Sequence, residues 1–212
     1  LPPKLAIETA QTGVEWRPVL IRVNEEISPL LKEYVVRHIN EAREEGRNFF
    51  IFEIDSNGGD AVAGMELAEF IKDMKGVKTI AYIPEKAISA AAFIALGCDE
   101  IIIGREAKLG NCGVMFQDQE GRFHYTPEKI VSIFSTSLES IAKTKGHPPT
   151  LARAMVEKDL VVKEVRDKRT GRVMFLSDDE IAQHDPDSIE VRRVVKDKDH
   201  FLTVDGTTAV SL

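Results

Sequence analysis

The feature that most constrains this chain is an alternation of short apolar runs with longer amphipathic segments. Val19-Leu20-Ile21-Arg22-Val23 reads as a strand, and the segment from Leu30 to Glu45 carries Leu31, Val35, Ile39 and Ala42 on one face. Ser28 and Pro29 stand where an N-cap and a first-turn proline belong, and Gly46 follows as a stop. The pattern then repeats. Phe49 to Ile54 is a buried-strand run, and Asp60 to Met74 is a helix with Ala61, Met65, Ala68 and Ile71 to one side. Lys78 to Ile83 is the next strand, Ala87 to Leu96 a small-residue helix, and Glu100-Ile101-Ile102-Ile103 another strand. Strand–helix alternation with short turns means an α/β fold around a mostly parallel sheet.

The remainder is less regular. Residues 1–18 read as an irregular arm, and 104–126 as glycine-rich loop holding a hairpin around Asp118-Gln119-Glu120-Gly121. Thr126-Pro127-Glu128 opens a long helix that runs to about Lys145, closed by Gly146, and a shorter helix spans Leu151 to Glu157. Residues 161–212 change character. Val161–Val165 and Val173–Leu176 predict a β-hairpin, Ser177-Asp178-Asp179-Glu180 caps a short helix, and Val191–Lys196 with His200–Val204 predict a final strand pair.

Composition narrows the function classes. A net charge of -7, with lysines and arginines scattered, argues against a nucleic-acid partner. No apolar run approaches the ~20 residues of a membrane span. The chain begins at Leu1 with no signal peptide, which reads as a piece of a longer protein whose flanks could hold anchors. Cys98 and Cys112 lack a Cys-x-x-Cys or Cys/His cluster and read as free thiols more readily than as a disulfide. No metal or organic cofactor is suggested.

Two segments carry chemistry. The run Phe49–Ile54 ends in Asp55-Ser56-Asn57-Gly58-Gly59-Asp60, and the strand Lys78–Ile83 leads to Lys86-Ala87-Ile88-Ser89-Ala90-Ala91-Ala92. The glycines offer backbone N–H groups to an oxyanion, and Ser89 offers a hydroxyl at a helix start, where the dipole favours developing negative charge. A serine hydroxyl needs a base. Of His38, His124, His147, His184 and His200, only His124 lies near the motifs. Lys129 is the other candidate: it sits in the first turn of a helix beside Ile130, Val131, Ile133 and Phe134, a setting expected to be buried and to lower a lysine pKa.

Three segments together, Ile54–Gly59, Ala87–Asp99 and Ala107-Lys108-Leu109-Gly110, resemble the ClpP-class serine proteases, and within them the membrane-associated NfeD-type branch, related to the signal-peptide peptidase SppA. The resemblance covers roughly residues 19–160. It implies a ClpP/crotonase-like spiral of ββα units, with residues 161–212 as a C-terminal hairpin and strand extension of the same domain. It also implies a Ser–Lys dyad whose lysine enters a helix about 40 residues after the serine, and Lys129 follows Ser89 by 40. On that likeness Ser89 is the nucleophile, Lys129 the general base, and the N–H groups of Gly58 or Gly59 and of Ala90 the oxyanion hole. The substrate is then extended apolar polypeptide, held along a sheet edge, and the domain is a homo-oligomer that is membrane-associated and extracytoplasmic. Asn57 stands where the family has Pro, Ile88 where it has a small residue, and Ala91 where it has Gly. Two other readings compete: an inactive scaffold on the same fold, and a crotonase-type acyl-CoA enzyme, for which no pair of catalytic acids is evident. A histidine-based variant would use His124, 35 residues after Ser89.

Overall fold

A computed structural model describes residues 14–117, Glu120 and 123–209, and excludes the side chains of 115–117 and 123–125. Its first half is the expected alternation: β1 (Pro18–Val23), α1 (Pro29–Glu44), β2 (Phe49–Ile54), α2 (Ala61–Asp73) and β3 (Lys78–Ile83). Helix starts are chemically specified. Ser28 Oγ accepts the Leu31 N–H at 3.2 Å with Pro29 in the first turn, and Asp60 Oδ1 accepts the Ala63 N–H at 2.7 Å. Then come β4 (Lys86–Ile88), α3 (Ala90–Leu96), β5 (Glu100–Ile103) and β6 (Lys108–Gly110). The small-residue helix thus starts three residues later than the sequence suggests, because Lys86–Ile88 is extended.

The long strands form one parallel sheet in the order β1-β2-β3-β5. Each long strand is followed by a short extended stretch, and these stretches pair with one another in a second ladder. Ile27 bridges Gly59, Ser56 bridges Ala87, and β4 runs parallel to β6. Strand, short strand and helix therefore recur as a unit, which is the ββα spiral.

All seven residues of α3 are buried. A side chain in place of Gly64 on α2 would stand 2.8 Å from Ala90 Cβ and from Ala90 O, so the two helices approach at backbone distance. The alanines of α3 are thus a packing requirement. Phe93 fixes the other side, stacked on Phe134 at 5.9 Å, and its full burial contributes about 1.5–3 kcal/mol.

After β6 come a ribbon of β7 (Met115–Gln117) and β8 (Phe123–Tyr125), then α4 (Glu128–Lys145) and α5 (Pro149–Ala154). Gly146 closes α4 in the left-handed conformation at φ 81°. The helix expected over Leu151–Glu157 begins earlier and ends at Ala154. The C-terminal part contributes β9 (Val162–Asp167), β10 (Val173–Ser177), α6 (Asp178–Ile181), β11 (Ile189–Lys196), β12 (Thr203–Asp205) and α7 (Gly206–Ala209). The β9–β10 hairpin and the Ser177–Glu180 capping box are as expected. The final strand pair is not. β11 joins β9 to make the sheet β10-β9-β11, whereas β12 returns to the short ladder and pairs antiparallel with β6.

Lys196, at the end of β11, is only 1% exposed. Its ammonium donates to the carbonyls of Glu157, Lys158 and Leu160 at 3.0, 2.5 and 2.6 Å. Burial pulls its pKa down, and the three acceptors satisfy all three of its donors.

Candidate active site

Ser89 occupies the corner between β4 and α3 with φ 56° and ψ -127°. This is the geometry of the first central residue of a type II′ turn, which favours glycine, and a serine held there costs about 1–3 kcal/mol. Neighbouring structure fixes it. The Ser89 N–H donates to Gly110 O at 3.0 Å, and its carbonyl accepts the Ala92 N–H at 2.9 Å and the Cys112 thiol at 3.6 Å. Although it is the N-cap of α3, its hydroxyl makes no capping bond. The hydroxyl is thus left uncapped while the backbone around it is held.

The Gly58–Gly59 turn lies directly against this corner. A Cβ on Gly58 would meet Ser89 Cβ at 2.6 Å, and one on Gly59 would meet Ile27 O at 2.2 Å, so both positions exclude a side chain. The Gly58 N–H donates to Ser56 Oγ at 3.1 Å, and the Gly58 carbonyl accepts the Ile27 N–H at 2.9 Å. The N–H groups of Gly59 and Ala90 have no acceptor among the described residues. Of the two glycines named from the sequence, Gly58 therefore has its donor engaged and Gly59 has its donor free. A polar cleft of about 520 Å³ borders the turn, lined by Glu25, Asp55, Asn57, Gly58, Gly59 and Lys86 among others.

Lys129 lies in the first turn of α4, but the burial expected of it is absent: it is exposed. Ile130 and Ile133, which were to bury it, are themselves 42% and 59% exposed. The helix direction is favourable nonetheless. Phe134 stacks on Phe93, and Lys145 at the far end pairs with Asp99 just beyond α3 at 2.7 Å. α4 therefore runs in the same sense as α3, and its start lies toward the Ser89 end. Lys129 precedes Phe134 by five residues, about 7.5 Å of helix rise.

The histidines contribute elsewhere. His124 lies in β8, and its ring is outside the described side chains. The His147 ring N–H donates to Cys98 O at 2.9 Å, and burial pulls its pKa down. His38 and His200 bond backbone carbonyls close in sequence, and His184 is exposed. Asp99 accepts from the Thr79 N–H and hydroxyl as well as from Lys145. Burial pushes its carboxyl up, but these hydrogen bonds outweigh it and hold the carboxyl below the ordinary range. Both thiols are free and buried, and burial pushes them up. No group of His, Cys, Asp and Glu among the described residues could hold a metal ion, and no helix among them is long and apolar enough to cross a membrane.

Sequence reasoning missed three participants. Ser56 and Gly110 hold the glycine turn and the serine corner by hydrogen bonds, and Cys112 braces the serine carbonyl. Gly110 and Ser56 lay inside recognised motifs, but only the short ladder reveals their partners.

A parallel sheet and a short ladder that meet at a strained serine above a Gly-Gly turn define a ClpP-like fold. Within that class the chain belongs to the NfeD1b N-terminal domain family, whose model matches residues 18–203. It is 25% identical over 146 residues to the membrane protein NfeD1b of Bacillus subtilis, covering 69% of this chain and 32% of that protein. It is 30% identical over 128 residues to the membrane-bound protease PH1510 of Pyrococcus horikoshii, covering 58% and 29%. The chain thus spans about a third of the length of these relatives. Among solved structures it matches 1510-N, a membrane-bound stomatin-specific protease, in a serine-to-alanine variant with TM-score 0.61 and 23% identity over 80% of this chain and 77% of that one. A lysine-to-alanine variant of 1510-N in complex with a substrate peptide matches with TM-score 0.61 and 22% identity over 82% and 78%.

Proposed function

We propose that this chain is the protease domain of an NfeD-type membrane-associated serine protease, cutting extended apolar polypeptide. The observation that carries the reading is Ser89: strained, uncapped, and at a corner where the Gly59 and Ala90 N–H groups have no acceptor among the described residues. Ser89 Oγ attacks the scissile carbonyl carbon while Lys129 Nζ takes the hydroxyl proton. The carbonyl oxygen, now negative, is met by the Gly59 and Ala90 N–H groups. Collapse of the intermediate breaks the C–N bond, and the lysine returns the proton to the leaving amine. Water then releases the acyl group by the same steps. The relatives support the reading, since one is named a membrane-bound protease and the similar protease 1510-N has been solved with a serine or a lysine replaced. The domain works on the extracytoplasmic face of a membrane as a homo-oligomer. Lys129 acts as a base once Ile130 and Ile133 are covered, by a second copy or by substrate.

The test is hydrolysis of casein and of hydrophobic peptides from pH 6 to pH 10. The expected result is activity that disappears in Ser89→Ala and in Lys129→Ala. Lys86→Ala is the comparison, because Lys86 lines the cleft at the glycine turn. Loss there, with activity retained in Lys129→Ala, moves the base to Lys86. A folded wild type that neither cleaves nor reacts with a fluorophosphonate refutes the reading in favour of a scaffold.

A further inference from the structure

We infer that Ser56 is a positioning residue: its hydroxyl decides which of the two glycine N–H groups is left to face an oxyanion. The inference rests on the protease reading above. Ser56 is 4% exposed, and its hydroxyl works in two directions. It donates to Glu25 O at 2.6 Å and accepts the Gly58 N–H at 3.1 Å. Its backbone is bound as well: the Ser56 N–H donates to Lys86 O at 3.0 Å, and Ser56 O accepts the Ile88 N–H at 3.1 Å. One residue thus ties together the stretch after β1, the glycine turn, and the strand that ends in the nucleophile.

The consequence for the turn is geometric. Gly58 has φ 99° and Gly59 φ 147°, conformations open to glycine in many neighbouring variants. Glycine freedom allows the turn and does not choose it. The Ser56 hydroxyl chooses it, because a Gly58 N–H that points at Ser56 Oγ cannot also point at a substrate. The next N–H, that of Gly59, is then the remaining donor. Replacing the hydroxyl by hydrogen leaves Glu25 O and the Gly58 N–H without these partners; the Asn57–Gly58 peptide is then free to turn, and the Gly59 N–H is aimed only by the Ile27 N–H on Gly58 O at 2.9 Å.

Ser56→Ala and Ser56→Thr are compared with wild type for peptide hydrolysis and for affinity toward an acetylated tri-leucine aldehyde and the matching alcohol. The aldehyde adds Ser89 Oγ to its carbonyl carbon, the hydroxyl proton passes to the carbonyl oxygen, and that oxygen occupies the hole. The alcohol binds the same groove without this bond. The expected result for Ser56→Ala is kcat lower by about 10- to 100-fold with KM nearly unchanged, below the ~10²–10³ of losing a hole donor outright. The preference for aldehyde over alcohol falls by a similar factor, while alcohol affinity holds. Ser56→Thr keeps the hydroxyl and restores both. A merely structural role would lower alcohol affinity and thermal stability together and would leave the aldehyde preference intact, which overturns the inference. If Ser56→Ala fails to fold, Ser56→Cys, with its weaker acceptor, must show the same loss of aldehyde preference. Unchanged preference in Ser56→Cys overturns the positioning role alone, with the protease reading standing. A wild type that shows no aldehyde preference and no fluorophosphonate labelling overturns both.

Discussion

Gly58→Ala tests the corner most directly, because the same substitution has a built-in control. At Gly58 the new methyl would sit 2.6 Å from Ser89 Cβ, 2.7 Å from Ile88 O and 3.1 Å from Ala90 N, on a residue at φ 99°. Two of those three neighbours are backbone, so relief requires the β4–α3 corner to shift. The positive φ costs about 1–2 kcal/mol, and the overpacking about 1–3 kcal/mol. Together these amount to about 2–5 kcal/mol. For a chain of this size one kcal/mol moves Tm by about 2–4 °C, so the fall is on the order of 10 °C. Gly76 has φ 72°, and a Cβ there meets nothing within 4 Å. Gly76→Ala therefore pays only the conformational cost, a few degrees. The functional readout separates the two further. Displacing Ser89 and the Ala90 N–H by several tenths of an ångström reduces fluorophosphonate labelling by up to about 10²-fold, whereas Gly76→Ala labels at the wild-type rate. Equal melting temperatures and equal labelling rates for the two variants would refute the contact argument.

Two further outcomes follow from buried titratable groups. His147 is held neutral by burial, with its pKa depressed below the ~6.5 of the unfolded chain. The unfolded state therefore takes up the proton first, and the stability His147 contributes is full above about pH 6.5 and declines as pH falls through it. Thermal melts between about pH 7.5 and pH 5.5 should show this decline, and His147→Gln, which keeps a donor for Cys98 O, should flatten it. Lys196→Met leaves three partly buried carbonyls without their donor, and chemical denaturation should report a loss of about 1–3 kcal/mol. A neutral result would mean that water reaches Glu157 O, Lys158 O and Leu160 O.

The long parallel sheet was legible because its strands are apolar runs separated by helices with a clear stripe and a chemical cap, as at Ser28 and Asp60. The short ladder was not, because strands of three residues carry no periodicity. Lys86-Ala87-Ile88 merges into the alanine run, and Lys108-Leu109-Gly110 reads as loop. The turn at Asp197-Lys198-Asp199 was real, with Asp199 at φ 68°, but a turn does not dictate that its flanking strands pair with each other. For the candidate site, the meeting of the Ser89 corner with the glycine turn was legible from residue types at strand ends, while the burial of Lys129 was misjudged. Apolar neighbours in sequence bury a lysine only if their side of the helix meets the core, and Ile130 and Ile133 face outward. Lys196 gave no signal, since its three acceptors are backbone atoms some 36 to 39 positions away.

The pairing of β12 with β6 bears on when the Ser89 corner reaches its final geometry. Ser89 hangs from Gly110, and Gly110 is paired on its outer side by Thr203. A nascent chain that has emerged only as far as β11 has the serine, the glycine turn and the long sheet, but not the strand that completes the ladder holding the serine corner. A stretch translated well after Ser89 thus completes the support of its corner, so the proposed site takes its final shape only once the sheet around it has been made.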